Sequence, residues 1–162
     1  MEEPSETSRS VPDARLEAQW IVGFVDGEGC FYVGINPHKD LKAGYQVLPE
    51  FTIVQHQRDI QLLYQIKKFF GCGVVRSNHG DRLAYRVRDV KHLWEIIIPF
   101  FEQHSLKSVK KIDFIKFRKI LLMINEKKHL TQQGIEEIKS IASGMNRGKD
   151  KVKLLWKQSK IN

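Results

Sequence analysis

The sequence predicts an α+β domain in which one four-stranded antiparallel sheet carries its helices on one side. Three observations lead there. Segments with apolar residues at helical spacing are interrupted twice by pairs of short segments in which apolar and polar residues alternate. The members of each pair are separated by no more than a turn, so they run antiparallel. The polar side of each alternating segment carries arginine, amide, hydroxyl or aromatic groups, so one face of the sheet is wet and the other covered. The element order is α-β-β-α-β-β-α-α-α.

Residues 1–12 are polar, contain Pro4 and Pro12, and read as a disordered lead-in. Asp13 is placed to N-cap a helix in which Leu16, Trp20, Ile21, Phe24 and Val25 form the apolar side and which Gly27 and Gly29 stop. A strand over 30–36 sets Phe31, Val33 and Ile35 against Cys30, Tyr32, Gly34 and Asn36. After a turn at 37–44, a strand over 45–54 turns Val47, Phe51 and Ile53 inward and Gln46, Leu48, Glu50 and Thr52 outward. A helix over 58–70 has Ile60, Leu63, Ile66, Phe69 and Phe70 as its stripe and Gly71 just past its end.

A hairpin of 73–78 and 82–88 turns at His79, Gly80 and Asp81. It separates Val75, Tyr85 and Val87 from Arg76, Asn78, Arg86 and Arg88. A short helix over 90–98 is expected to end at Pro99, and a longer one over 108–124 to bury Ile112, Ile115, Phe117, Leu121 and Ile124. Leu130 and Ile135 flank an N-cap at Thr131, which opens a last helix to about Met145. The tail 149–162 interleaves five lysines with Val152, Leu154, Leu155 and Trp156. The domain therefore spans 13–148, between the lead-in and a basic tail.

With 162 residues, 41% of them hydrophobic, the chain can bury a core without covalent staples. Cys30 and Cys72 are too few for a disulfide scaffold and lack zinc-ligand spacing, and none of the six histidines forms a metal-spaced pair. No apolar run is long enough for a membrane span, and the acidic start lacks the apolar segment of a secretory signal. A reducing, intracellular setting without a membrane partner is the expectation. Residues 1–13 hold four acids and one arginine, so the remainder carries 26 basic against 15 acidic residues. Such a balance suits a polyanion, nucleic acid first, although charge alone also fits a merely soluble basic protein. A mixed set of donors and acceptors on a two-stranded ribbon is what base readout in a major groove requires.

Residues 21–29, IVGFVDGEG, are the most informative segment. Gly23 and Gly27 lie four apart on one side of a helix, which allows two such helices to pack with close backbones. Asp26 and Glu28 follow at the C-terminal end, where the helix dipole disfavours anions, and this suggests a bound cation. The plain alternative is a glycine-rich helix stop with solvated acids.

The segment resembles the LAGLIDADG signature of the homing endonucleases position by position: apolar, small, Gly, apolar, apolar, Asp, Gly, acid, Gly. Residues 106–117 (LKSVKKIDFIKF), 128–134 (KHLTQQG) and Met145-Asn146 resemble the downstream pattern, and the similarity covers about 13–148. The resemblance implies the αββαββα core with a saddle-shaped sheet. It also implies a site-specific double-strand DNA endonuclease that uses Mg²⁺, with Mn²⁺ tolerated, cuts a long pseudo-palindromic site and leaves short 3′ overhangs. One motif per chain implies the homodimeric branch, with the interface at Val22, Gly23, Asp26 and Gly27. Glu28 and Gly27 become metal-holding residues, Glu28 standing where the consensus name has Asp. Asp26 becomes a group that fixes the helix.

By the same resemblance, Gln55 matches a position that orders water, and Lys107 one that polarises the attacking water or stabilises the transition state. Lys110 and Lys111 are rivals for the latter role. The candidates for DNA contact are Tyr32, Asn36, His38, Gln46, Glu50, Thr52, Arg76, Asn78, Arg86 and Arg88, the arginines ranking first because Arg to guanine is the commonest specific contact. The family's setting is intron mobility, in a chloroplast or mitochondrion where the intron is organellar. The alternative within the fold is a non-catalytic nucleic-acid binder, either a maturase acting on intron RNA or a DNA-binding regulator.

Overall fold

The computed structural model of the chain describes residues 15–146; the lead-in, Asp13 and the basic tail fall outside them. The strands β1 (Gly29–Pro37), β2 (Tyr45–His56), β3 (Val74–Ser77) and β4 (Arg82–Val87) form one antiparallel sheet in the order β1-β2-β4-β3. The helix α1 (Ala18–Glu28) leads directly into β1, and α2 (Ile60–Phe70) connects the two hairpins. After β4 come α3 (Val90–His92), a π-helical stretch Leu93–Ile97 and α4 (Ile98–Gln103). The chain then forms α5 (Lys110–Asn125) and α6 (Gln132–Ser143).

Alternation along each strand divides the sheet into two chemically different faces. On the covered face Phe31, Phe51, Ile53, Tyr85 and Val87 are buried. Phe31 is the centre of an aromatic cluster, with ring centroids 5.2 Å from Phe51, 5.5 Å from Phe101, 5.4 Å from Phe114 and 5.3 Å from Phe117. One side chain thereby joins β1 to β2, α4 and α5. On the same covered face α2 adds Leu63, Ile66 and Phe70, and it closes on Gly71 in the left-handed conformation that favours glycine. Thr131 caps α6 by accepting from the Gly134 backbone at 3.0 Å. A Cβ at Gly134 would lie 1.8 Å from the Lys128 carbonyl, so only glycine fits there.

β1 is an edge strand, and Asn146 covers part of its free edge. Its side-chain amide donates to the Phe31 carbonyl at 2.9 Å, while its backbone N–H donates to Asp113 at 3.1 Å. Met145 beside it is buried in the core. The two residues after α6 thus tie that helix to β1 and α5 together.

Four expectations are corrected. The first helix begins at Ala18 behind an N-cap at Glu17 and not at Asp13, although it stops at Gly29 as expected. Trp20 is 41% exposed rather than part of the core, and it stacks on Phe24 with centroids 4.8 Å apart. The helical path continues through Pro99, because the proline sits in the first turn of α4, where a missing N–H costs no intrahelical bond. On α5 the buried residues are Phe114, Phe117, Ile120, Leu121 and Met123, whereas Ile112 and Ile115 are exposed.

Candidate functional site

The end of α1 is fixed by reciprocal capping with the start of α5. The Asp26 carboxylate accepts from the Lys107 backbone N–H at 2.8 Å, the Ser108 backbone N–H at 3.0 Å and the Ser108 hydroxyl at 2.6 Å. These donors lie just ahead of α5, where an anion also complements the helix dipole. In return, the Lys110 ammonium donates to the carbonyls of Val25 at 2.8 Å and Asp26 at 3.1 Å, placing a cation at the C-terminal end of α1. Gly29 makes the tight exit possible: a Cβ there would lie 2.7 Å from Val25 Cγ1.

The two acids of the motif consequently differ. Asp26 serves the fold of its own chain. Burial alone would raise its pKa, but the hydrogen bonds from Ser108 and from the Lys107 and Ser108 backbones, with the nearby Lys110 charge, hold it below its ordinary value. Glu28 is exposed, and among the described residues its carboxylate has no ion pair or hydrogen bond. Lys107 is tied to Asp26 through its backbone, which brings it to the same junction and leaves it exposed. Gln55 lies two residues beyond the last β1–β2 pair, Gly29 with Ile53, at the end of the sheet where α1 stops. The neighbouring His56 secures that end by a 2.8 Å contact from Nε2 to Asp81 in the β3–β4 turn. Lys110 is engaged as a helix cap, while Lys111 is exposed.

No group of three or more His, Cys, Asp or Glu among the described residues could hold a metal. The donor set at the junction is the Glu28 carboxylate with the backbone carbonyl of Gly27 beside it. That set fits Mg²⁺, which commonly takes one or two carboxylates and completes its shell with phosphate and water.

The exposed sheet face is laid out by strand register. Asn36 pairs with Gln46 and Tyr32 with Glu50; Cys30, Thr52, Arg86 and Val74 form one row across all four strands. Val54, Ala84 and Arg76 form the next. Tyr32, Asn36, Gln46, Arg76, Asn78 and Arg88 are exposed, and His38 is half-buried in the β1–β2 loop. The Thr52 hydroxyl donates to the Tyr85 carbonyl at 3.1 Å, which orients its oxygen outward to accept. Glu50 lies within ion-pair reach of both Arg86 and Arg88. Sequence reasoning passed over Arg82, which shares the face by alternation, and the exposed apolar residues Leu48 and Val74, which suit contact with thymine methyl groups. Leu48 was already legible as outward from its place in the alternation.

Of the interface residues assigned to α1, Val22 is 2% exposed and packs into the chain's own core, and Asp26 is half-buried and bonded to Ser108. Gly23 and Gly27 lie with Trp20 on the exposed stripe of the helix, with Phe24 half-buried beside it. Nothing lies within 4 Å of a Cβ built on Gly23 or Gly27.

The reciprocal caps give a pH-dependent expectation. Replacing Asp26→Asn should lower stability at neutral pH by about 1 kcal/mol, the usual cost of a lost cap. Because the folded-state pKa is depressed, the carboxylate's contribution is complete above the ordinary pKa of about 3.9 and is lost as pH falls through the lower folded value. Urea unfolding of both proteins between pH 7 and the acid limit checks this: the gap between them should close only on the acid side.

The sequence model of the LAGLIDADG endonuclease family matches residues 21–121. The chain is 37% identical over 123 residues to an uncharacterized 50.9 kDa protein in ND4 intron 1 of Podospora anserina, covering 75% of this chain and 27% of that one. It spans about a quarter of the length of that curated relative. Among solved structures, the homing endonuclease I-TnaI is 56% identical, with 83% of this chain and 91% of that chain covered and a TM-score of 0.80. I-SmaMI, bound to an uncleaved DNA target in the presence of calcium ions, is 35% identical, with 82% and 46% covered and a TM-score of 0.80. The αββαββα arrangement, the motif at the α1–β1 junction and these matches agree: the chain belongs to the LAGLIDADG endonuclease family.

Proposed function

We propose that this chain is a site-specific endonuclease that cuts both strands of a long pseudo-palindromic DNA duplex as a homodimer. In this reading a divalent ion, Mg²⁺ by preference with Mn²⁺ tolerated, is held at Glu28. The observation that carries the proposal is the exposed Glu28 carboxylate without a partner among the described residues, next to an Asp26 that the fold has taken up. Lys110 caps the carbonyls at this end of α1, and the Glu28 carboxylate beyond them is left to meet a further cation. The ion, when bound, supplies the charge that activates water and stabilises the leaving 3′ oxygen. Glu28 and the Gly27 carbonyl hold it, the Gln55 amide orders water beside it, and the Lys107 ammonium stabilises charge on the transferring phosphoryl group.

The sheet face supplies recognition, with Arg76, Arg86 and Arg88 as guanine readers and Tyr32, Asn36, His38, Gln46, Thr52 and Asn78 as further contacts. The DNA and calcium in the I-SmaMI complex support a duplex target and a divalent ion for this chain. One Glu28 serves one strand, so a symmetric double-strand cut needs two copies. The chain matches 91% of I-TnaI but only 46% of I-SmaMI, whose length leaves room for two such units. The open Gly23–Gly27 stripe is the surface best suited to bring two α1 helices together. The intron origin of the Podospora relative supports a role in intron mobility, in an organelle where the host intron is organellar, with short 3′ overhangs as the product. Among the described residues no helix is long and apolar enough to cross a membrane.

Two experiments test this. With a target selected from randomised duplexes, Glu28→Gln should lower Mg²⁺-supported cleavage by several orders of magnitude, while affinity in Ca²⁺ is kept or improved because a negative charge has left the neighbourhood of the phosphates. Cleavage at the parental rate would remove Glu28 from the chemistry; binding by the parent without cleavage in Mg²⁺ or Mn²⁺ would favour the maturase or regulator. Gly23→Leu should convert a dimer to a monomer in sedimentation, and a parent that is monomeric both free and on DNA would contradict the paired-helix arrangement.

A further inference from the structure

Glu50 is the one carboxylate among the outward residues of the sheet rows described above, on a face proposed to meet a polyanion. Its side chain is only 14% exposed. Oε2 accepts from Arg88 Nε at 2.6 Å, and Oε1 lies 3.3 Å from Arg86 Nε. With one oxygen on each guanidinium and little surface left, the carboxylate is poorly placed to accept from a cytosine amino group itself. Removing this half-buried carboxylate's charge would leave two guanidinium groups close together without their shared counter-ion.

The way the arginines are held is informative. A guanidinium presents five N–H donors in one rigid plane. Arg88, hydrogen-bonded through Nε, keeps its terminal Nη fork, the part that matches O6 and N7 of guanine, whereas Arg86 is held by charge, its Nε 3.3 Å from Oε1 without a hydrogen bond. Arg86 lies in β4 and Arg88 one residue past its end, two residues apart and about 6.8 Å along an extended path at the usual strand rise. This equals about two base-pair steps of 3.4 Å. Both arginines also line a cavity of about 400 Å³, together with Arg76 and His92, into which a base edge can enter.

We propose that Glu50 is a positioning residue: its single carboxylate holds the guanidinium groups of Arg86, by charge, and Arg88, by a hydrogen bond, so that the two read bases about two steps apart as one preorganised unit. The proposal rests on the reading of the sheet face as the DNA interface. It gives the carboxylate an effect opposite in sign on the two components of binding. Glu50 opposes general attraction to phosphate, and it sharpens discrimination between bases.

The test measures binding in Ca²⁺ of the parent, Glu50→Gln, Arg86→Ala and Arg88→Ala to the selected duplex, to all of its single-base variants and to a random duplex. Each arginine variant should lose about tenfold or more of the discrimination at one position of the half-site. Glu50→Gln should lower discrimination at both of those positions and at no third, while affinity for the random duplex is unchanged or rises. Relaxation at a third position alone would make Glu50 a direct reader and overturn the proposal. A uniform loss on every sequence, or a lowered melting temperature with specificity intact, would assign it a structural role and also overturn it. If neither arginine variant alters discrimination, the sheet-face reading itself has failed, an outcome distinct from failure of Glu50 alone.

Discussion

The exchange of caps between α1 and α5 is the constraint on which the rest of the site depends. Asp26 satisfies two backbone donors and a hydroxyl ahead of α5, and Lys110 satisfies two carbonyls at the end of α1. Each helix terminus thereby meets the charge its dipole favours. The consequence is positional. With the last turn of α1 locked, and Gly29 allowing the chain to turn at once into β1, the backbone of Glu28 is held in place at the junction. The same bonds bring Lys107 to that junction, and the β1–β2 register brings Gln55 to the same end of the sheet.

The second constraint is the division of the sheet. The aromatic cluster around Phe31 secures the covered face, and rigidity there lets the exposed face hold side chains at fixed spacing. Antiparallel pairing turns a list of outward residues into rows, such as Cys30, Thr52, Arg86 and Val74. Beside those rows Glu50 forms ion pairs with both Arg86 and Arg88. Recognition of bases depends on such fixed donors, because an unconstrained arginine satisfies any nearby phosphate equally well.

Much of this was legible in the sequence. Strand alternation assigned Phe31, Phe51, Ile53, Tyr85 and Val87 to the core and Tyr32, Asn36, Arg76 and Arg86 to the other face, because a period of two leaves little ambiguity. The motif located Glu28 and set Asp26 apart as the residue that fixes the helix. The helices were harder. α1 has apolar or small residues nearly all round, so periodicity could not separate the inward Val22 from the outward Trp20. On α5 the isoleucines at 112 and 115 follow the helical spacing as well as Phe114 and Phe117 do, and only tertiary packing decides between them. Pro99 read as a stop, because the preceding π-helical stretch and a new first turn cannot be seen in a residue list. Glu50 was visible as outward, but its pairing with Arg86 of β4 and Arg88 just past it depends on register between β2 and β4.

The central claim is that the fold holds Asp26 for itself and presents Glu28 to a divalent ion. The most direct measurement is anomalous diffraction from the dimer on its uncleaved target with Mn²⁺ in place of Mg²⁺. The account predicts metal density bound by the Glu28 carboxylate at about 2.1 Å, with Asp26 still bonded to Lys107 and Ser108 and outside the coordination shell. Metal bound by Asp26 instead, or bound to the DNA with Glu28 turned away from it, would contradict the account.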